Sequence, residues 1–145
     1  MSETERMPHW EVGEEIEEIA LGPISRLDLI KYAGASGDYN PIHTVDEDAH
    51  QAGLQGVIAH GMLTAATMGR LFSPYLAHGY VRGLGARFVG MVHVGDTLRV
   101  GGVVTEVKEA RREAGGTLYG FEVYARTGSQ TVVTGTAEFM VYEVH

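Results

Sequence analysis

Cysteine is absent from all 145 residues, which excludes disulfides, thiolate nucleophiles and thiolate-held metals. Basic residues are also scarce. Lys and Arg number 11 against 19 Asp and Glu, giving a formal charge of −8. So acidic a chain has no basic stripe with which to release phosphate counterions, so nucleic acid is not an expected partner. No apolar run approaches the ~18 residues that a membrane span needs. The polar stretch from Met1 to Arg6 is not followed by the apolar core of a signal peptide, and the expected location is cytoplasmic. The four prolines are outnumbered by 20 glycines, and no glycine run is of low complexity. Such glycines suit tight turns and close packing. With neither repeat nor linker in view, 1–145 is expected to be one domain burying roughly 70% of its unfolded surface.

What is present divides into a helical first half and a β-rich second half. Residues 1–9 are expected to form a loose polar arm, anchored from Trp10 to Gly13. The acidic patch of Glu14, Glu15, Glu17 and Glu18 is expected to be a solvated face. Ile16 to Ile24 is a plausible first strand. Ser25 offers a helix N-cap with Asp28 as its capping-box partner, Leu27 and Ile30 follow at helical spacing, and Gly34 with Gly37 supplies the stop. Asp46 is a candidate cap for a short second helix ended by Gly53. From Gly61 to about Leu76 apolar residues occupy most of the helix circumference, the pattern of a buried helix, with Met62 and Met68 as core fillers. Pro74 falls near its end. Four strands follow, at Tyr80 to Val92, Thr97 to Val107, Thr117 to Arg126 and Thr131 to Val144. Gly95-Asp96, Gly115-Gly116 and Gly128-Ser129 mark turns, and Arg111 and Arg112 fall near a hairpin tip. The expected fold class is α+β, an antiparallel sheet wrapped around the 61–76 helix.

The stretch most suited to chemistry is Tyr32 to His43, which reads Y-A-G-A-S-G-D-Y-N-P-I-H. Gly37 permits positive backbone dihedrals, while Pro41 fixes its own and disfavours helix at Asn40. Asp38 and His43 pair a carboxylate with an imidazole, and two such groups sharing one water can take a proton from one side and give one from the other. Asn40 can orient either partner or the water. The alternative is that Asp38 and Asn40 form Asx-type turns and His43 simply packs. Downstream, His60-Gly61 opens the apolar helix, whose first N–H groups lack internal partners and can receive a ligand carbonyl. The alternative there is that Gly61 serves close packing and His60 is a cap or core residue.

Other chemistries fit less well. His43, Asp46, Asp48, His50 and His60 cluster in sequence but in no HExxH-like frame, so no metal is expected. Ser36 lacks a G-x-S-x-G elbow. Gly83 and Gly85 lead into a strand rather than a helix, so they form no dinucleotide fingerprint.

Three segments together carry a family resemblance. The Tyr32–His43 stretch resembles the hydratase motif of the MaoC-like family, which includes (R)-specific enoyl-CoA hydratases and 3-hydroxyacyl-thioester dehydratases. Ile58 to Thr64 resembles the start of that family's central helix, and Arg87 to Asp96 its later strand-and-turn segment. The likeness spans roughly Val12 to Val141. It implies a single hotdog fold, an antiparallel sheet around a long buried central helix, dimerised edge to edge. Carried over, it implies Asp38 and His43 as the catalytic pair, Asn40 as the motif's orienting asparagine, and the Gly61 N–H as the group that binds the thioester carbonyl. His60, Met62 and Arg87 are candidate substrate contacts. Arg82 and Arg87 could each meet a phosphate, weighed against surface or strand roles. The implied activity is reversible hydration of trans-2-enoyl thioesters to (3R)-hydroxyacyl thioesters. It needs no metal or redox cofactor, and the CoA or acyl-carrier-protein arm belongs to the substrate. Two alternatives on the same fold are an acyl-CoA thioesterase and a non-catalytic acyl-binding or partner subunit. One departure is that some members carry a serine where this chain has Gly69. A single hotdog sheet leaves an open edge and a groove needing a second wall, so a homodimer or higher homo-oligomer is the expected state.

Overall fold

The computed structural model describes residues 7–109 and 115–142; Arg111 and Arg112 lie outside the described residues. The chain runs through β1 (Glu15–Leu21), α1 (Arg26–Ser36), a 3-10 turn (Pro41–His43), α2 (Asp46–Gln51) and α3 (Gly61–Met68). Two further 3-10 turns, Gly69–Leu71 and Ser73–Tyr75, lead into β2 (Gly79–Phe88), β3 (Leu98–Glu109), β4 (Gly116–Thr127) and β5 (Gln130–Tyr142). All strand pairings are antiparallel, in the order β1-β3-β4-β5-β2, so the consecutive strands β3 to β5 form the middle and β1 and β2 the edges. This is the expected sheet, packed through β3 and β4 against α3.

Period-two alternation puts Tyr119, Phe121, Val123 and Ala125 of β4 on the buried face, next to Val133, Ala137, Phe139 and Val141 of β5. Against them pack Met68, Leu71 and Phe72 from α3 and the turn after it. Burying each of these large side chains contributes about 1.5–3 kcal/mol of transfer free energy. Trp10 closes the same core from the N-terminal side. Its ring meets Tyr75, Tyr119, Phe121 and Phe139 edge-on, with centroids 4.9, 5.0, 5.2 and 6.2 Å away.

The local signals hold at α1 with one change. Ser25 and Asp28 form the complete capping box, but the helix runs through Gly34 and stops only at Gly37, whose φ of 75° is left-handed. The buried residues of α1 are Leu29 and Ala33, not Leu27 and Ile30, which stay exposed. Strand β1 ends at Leu21 rather than Ile24. Asp46 does not cap α2. Val45 holds that position, and Asp46 instead accepts from Arg26 and from the Val57 N–H. The apolar run from Gly61 is α-helical only to Met68. Gly69 is a poor helix former and Pro74 has no N–H to donate, so the chain tightens into 3-10 turns there. Met62 is 62% exposed, whereas Met68 is fully buried; the first is not a core filler. β2 likewise ends at Phe88, after which the N–H groups of Val89 and Gly90 both donate to the Val132 carbonyl.

Candidate active site

The loop after α1 is built by side chains that bond their own backbone. The Ser36 hydroxyl donates to the Tyr32 carbonyl at 2.7 Å and accepts from the Asp38 N–H at 3.1 Å. Asp38 Oδ1 accepts from the Asn40 N–H, and Asn40 Oδ1 from the Ile42 N–H, each at 3.2 Å. Both are Asx turns, and Asn40 thereby caps the 3-10 turn that carries His43. Outside the loop, Arg26 meets Asp46 at 2.6 Å and ties the start of α1 to the start of α2. That guanidinium holds the Asp46 carboxyl below the usual carboxylate range, and the Ser25 backbone N–H does the same for Asp28.

The turns leave the carboxylate–imidazole geometry open, because Asp38 divides its two oxygens. Oδ1 is used in the turn, while Oδ2 lies 3.8 Å from His43 Nε2. That gap is too long for a direct hydrogen bond and wide enough for one water to touch both. His43 is buried, and its Nδ1 lies 2.7 Å from the Ile58 carbonyl oxygen. A carbonyl only accepts, so Nδ1 carries a proton, and Nε2 is the nitrogen turned toward Asp38 to exchange one. Ile58 is positioned by its own N–H to Ile42 and by a β-bridge to His93, while Ala59 donates to Val92.

The start of α3 arrives at the same place. Gly61 is the first helical residue, and its N–H has no acceptor among the described residues. A side chain at 61 would press on the Phe88 ring, whose atoms lie 3.2–3.4 Å from where its Cβ would stand. A cavity of about 130 Å³ opens here, lined by His43, Gly61, Thr64, Phe88, Met91 and Val133. A larger hollow of about 740 Å³ lies among Glu15, Arg87, Glu122, Tyr124, Thr134 and Thr136, and shares no residue with it.

Of the sequence candidates, Asp38, Asn40, His43, His60 and Gly61 therefore come together. Met62 points to solvent beside them. Arg87 lines the larger hollow, as alternation dictates for the neighbour of Phe88, and Arg82 stands 3.7 Å from Glu138. Ile58, Thr64, Phe88 and Met91 were not named as site residues from sequence, although all four fall in the two later segments that carry the family resemblance.

Among the described residues one group of potential metal ligands converges, Asp38, His43 and His60, with ligand atoms within 4.8 Å of one another. The two imidazoles are stacked, with centroids 3.9 Å apart and planes 24° from parallel, and each has a nitrogen against a backbone carbonyl. Stacked rings set their in-plane lone pairs side by side rather than on one point, which suits proton handling better than ligation.

The profile of the MaoC like domain matches residues 9–123. The chain belongs to the MaoC-like dehydratase family. The relatives span several contexts. The Aspergillus oryzae fatty acid synthase subunit beta is 47% identical over 78 residues, 51% of this chain and 4% of that one. The mitochondrial 3-hydroxyacyl-[acyl-carrier-protein] dehydratase of Arabidopsis thaliana is 30% identical over 87 residues, 60% of this chain and 51% of the plant protein. The chain thus spans about half of the plant dehydratase and a small fraction of the synthase subunit. Among solved structures, unliganded R-hydratase PhaJ1 from Pseudomonas aeruginosa superposes with a TM-score of 0.76 at 30% identity, covering 93% of this chain and 84% of that one. The five-stranded sheet around α3 is the hotdog fold of MaoC-like proteins. No helix of the described residues is long and apolar enough to cross a membrane.

Proposed function

We propose that this MaoC-like chain reversibly hydrates trans-2-enoyl thioesters to (3R)-hydroxyacyl thioesters in fatty-acid chemistry, on a CoA or acyl-carrier-protein arm. The observation that carries the reading is the 3.8 Å gap between Asp38 Oδ2 and His43 Nε2, beside the unpartnered Gly61 N–H. In hydration the water oxygen bonds to C3 as one member of the pair takes its proton, while the other gives a proton to C2 on the same face. The negative charge that gathers on the thioester oxygen meets the Gly61 N–H. Dehydration runs the same steps in reverse. Asn40 serves by holding the 3-10 turn under His43.

The cavity of about 130 Å³ beside His43, Gly61 and Phe88 is where the acyl group would enter. The free edge of β2 ends at Phe88 beside the site, and a second copy joined there would wall the groove; a homodimer is the expected unit, and a monomeric mass by light scattering at micromolar concentration contradicts it.

Initial rates on an enoyl series from four carbons upward, offered on CoA and on acyl-carrier protein, test the reading. Loss of enoyl absorbance without release of free thiol is the expected result, and the rates across the series read the acyl length. Thiol release instead identifies a thioesterase, and no turnover of either kind identifies a binding or partner subunit.

A further inference from the structure

His60 is 1% exposed, deeper than His43 at 7%, and it opens α3 without bonding any helix N–H through its side chain. Its Nε2 lies 3.2 Å from the main-chain carbonyl oxygen of Asp38. Since a carbonyl only accepts, Nε2 carries the proton. Nδ1 is then a bare lone pair, buried with no partner among the described residues. The ring meets Tyr32 with centroids 4.8 Å apart and planes at 63°, and it stacks on the ring of His43. An apolar ring would fill this slot without stranding a nitrogen, so packing alone does not account for an imidazole. The donation to Asp38 does. His60 is also covalently joined to Gly61, so one residue touches the backbone of the carboxylate, the face of the base and the peptide that offers the helix N–H. His43 is pinned at one point by Ile58; the face of His60 blocks the rotation that this single bond leaves free.

We propose that His60 is the positioning residue of the site. In its Nε2–H form it holds the separation of Asp38 and His43 in register with the Gly61 N–H, and it touches no substrate. The inference rests on the hydratase reading above, and the experiments keep the two apart. NMR of protein carrying nitrogen-15 histidine reads the tautomers without any substitution or substrate. An Nε2–H ring at His60 and an Nδ1–H ring at His43 near neutral pH are expected; an Nδ1–H or doubly protonated His60 overturns the proposal. Kinetics on crotonyl-CoA supply the second arm. His60→Phe keeps ring and stack but loses the donor, whereas His60→Gln keeps a donor but loses the ring. The first is expected to lower kcat about 100-fold with KM within about threefold, and the second to recover at least about tenfold of that. A folded His60→Phe enzyme with near wild-type kcat, or a loss borne by KM alone, overturns it. Where neither variant folds, the tautomer assignment decides. Wild-type protein that turns over no enoyl thioester defeats the hydratase reading, while the tautomers still decide this arrangement.

Discussion

Glu18 and Asp38 each face a nitrogen-bearing side chain, and they are held in opposite ways. Glu18 reaches from β1 across β3 to β4. There it accepts from the Tyr124 hydroxyl at 2.6 Å and from Arg126 Nη2 and Nε at 2.7 and 3.0 Å, so both of its oxygens are filled. The Arg126 fork, and after it the Tyr124 hydroxyl, holds the Glu18 carboxyl below its usual range, and the same carboxylate pushes the Tyr124 hydroxyl up. Asp38 fills one oxygen within its own turn and leaves the other 3.8 Å from its base. A carboxylate with a fixed donor on each oxygen is committed to those donors; it fastens an edge strand. One with a single open oxygen, held by its other one, is already oriented and still free to exchange a proton.

Substitutions that break each pair should separate these roles. The largest effect is expected at the open pair. Asp38→Asn keeps an oxygen for the turn, and it and His43→Ala should each lower kcat by about 10²–10⁴ while thermal melts stay near wild type. Near-normal turnover in either variant erases the distinction. Gly61→Ala comes next, because its methyl would meet Phe88 and shift the helix start. A loss on the order of 10- to 100-fold in kcat/KM is expected, read in the same absorbance assay.

At the filled pair the expectation inverts. Glu18→Gln should leave kcat within about twofold and lower Tm by about 2–4 °C. Its pH dependence follows from the direction of the shift. A carboxyl held below its usual range stabilises the fold above that range, and the stabilisation is lost as pH falls through the lowered value. Wild-type Tm should therefore fall between about pH 5 and pH 3, near and below the reference carboxylate values, and that of Glu18→Gln less steeply. Parallel slopes would show that Glu18 contributes nothing to the acid limb. The smallest effect is expected at Gly69, where a Cβ meets nothing within 4 Å. Gly69→Ser should change kcat less than about threefold, because a substitution at a half-buried position with free space around it disturbs little.

Much of this was legible from the chain. Ser25 with Asp28, the β-rich segments from residue 98 onward and the Gly37–His43 loop are local signals, and each folds as its residue types dictate. The open alternatives at that loop turned out not to compete, since one carboxylate can serve a turn and face an imidazole at once. What could not be read depends on neighbours distant in sequence. Glu18 reads as one more surface acid until β3 and β4 bring Tyr124 and Arg126 beneath it. Met62 reads as core until the exposed side of α3 is seen, and His60 reads as a cap or a ligand contact until it is found stacked on His43. The end of α3 was misjudged because apolar periodicity continues through Phe72 although Gly69 and Pro74 tighten the backbone.

Trp10, wedged among four aromatic rings, is the chain's single tryptophan. Its emission is therefore an undivided optical signal, with one fluorophore in one environment. Tyr75, its nearest ring, ends the turns that continue α3, so the indole watches the helical layer from the end opposite His60. A site variant that is silent in the enoyl assay but unchanged in wavelength and quenching has lost chemistry. One whose emission shifts to the red has opened the cluster, and its kinetics say nothing about Asp38 or His43.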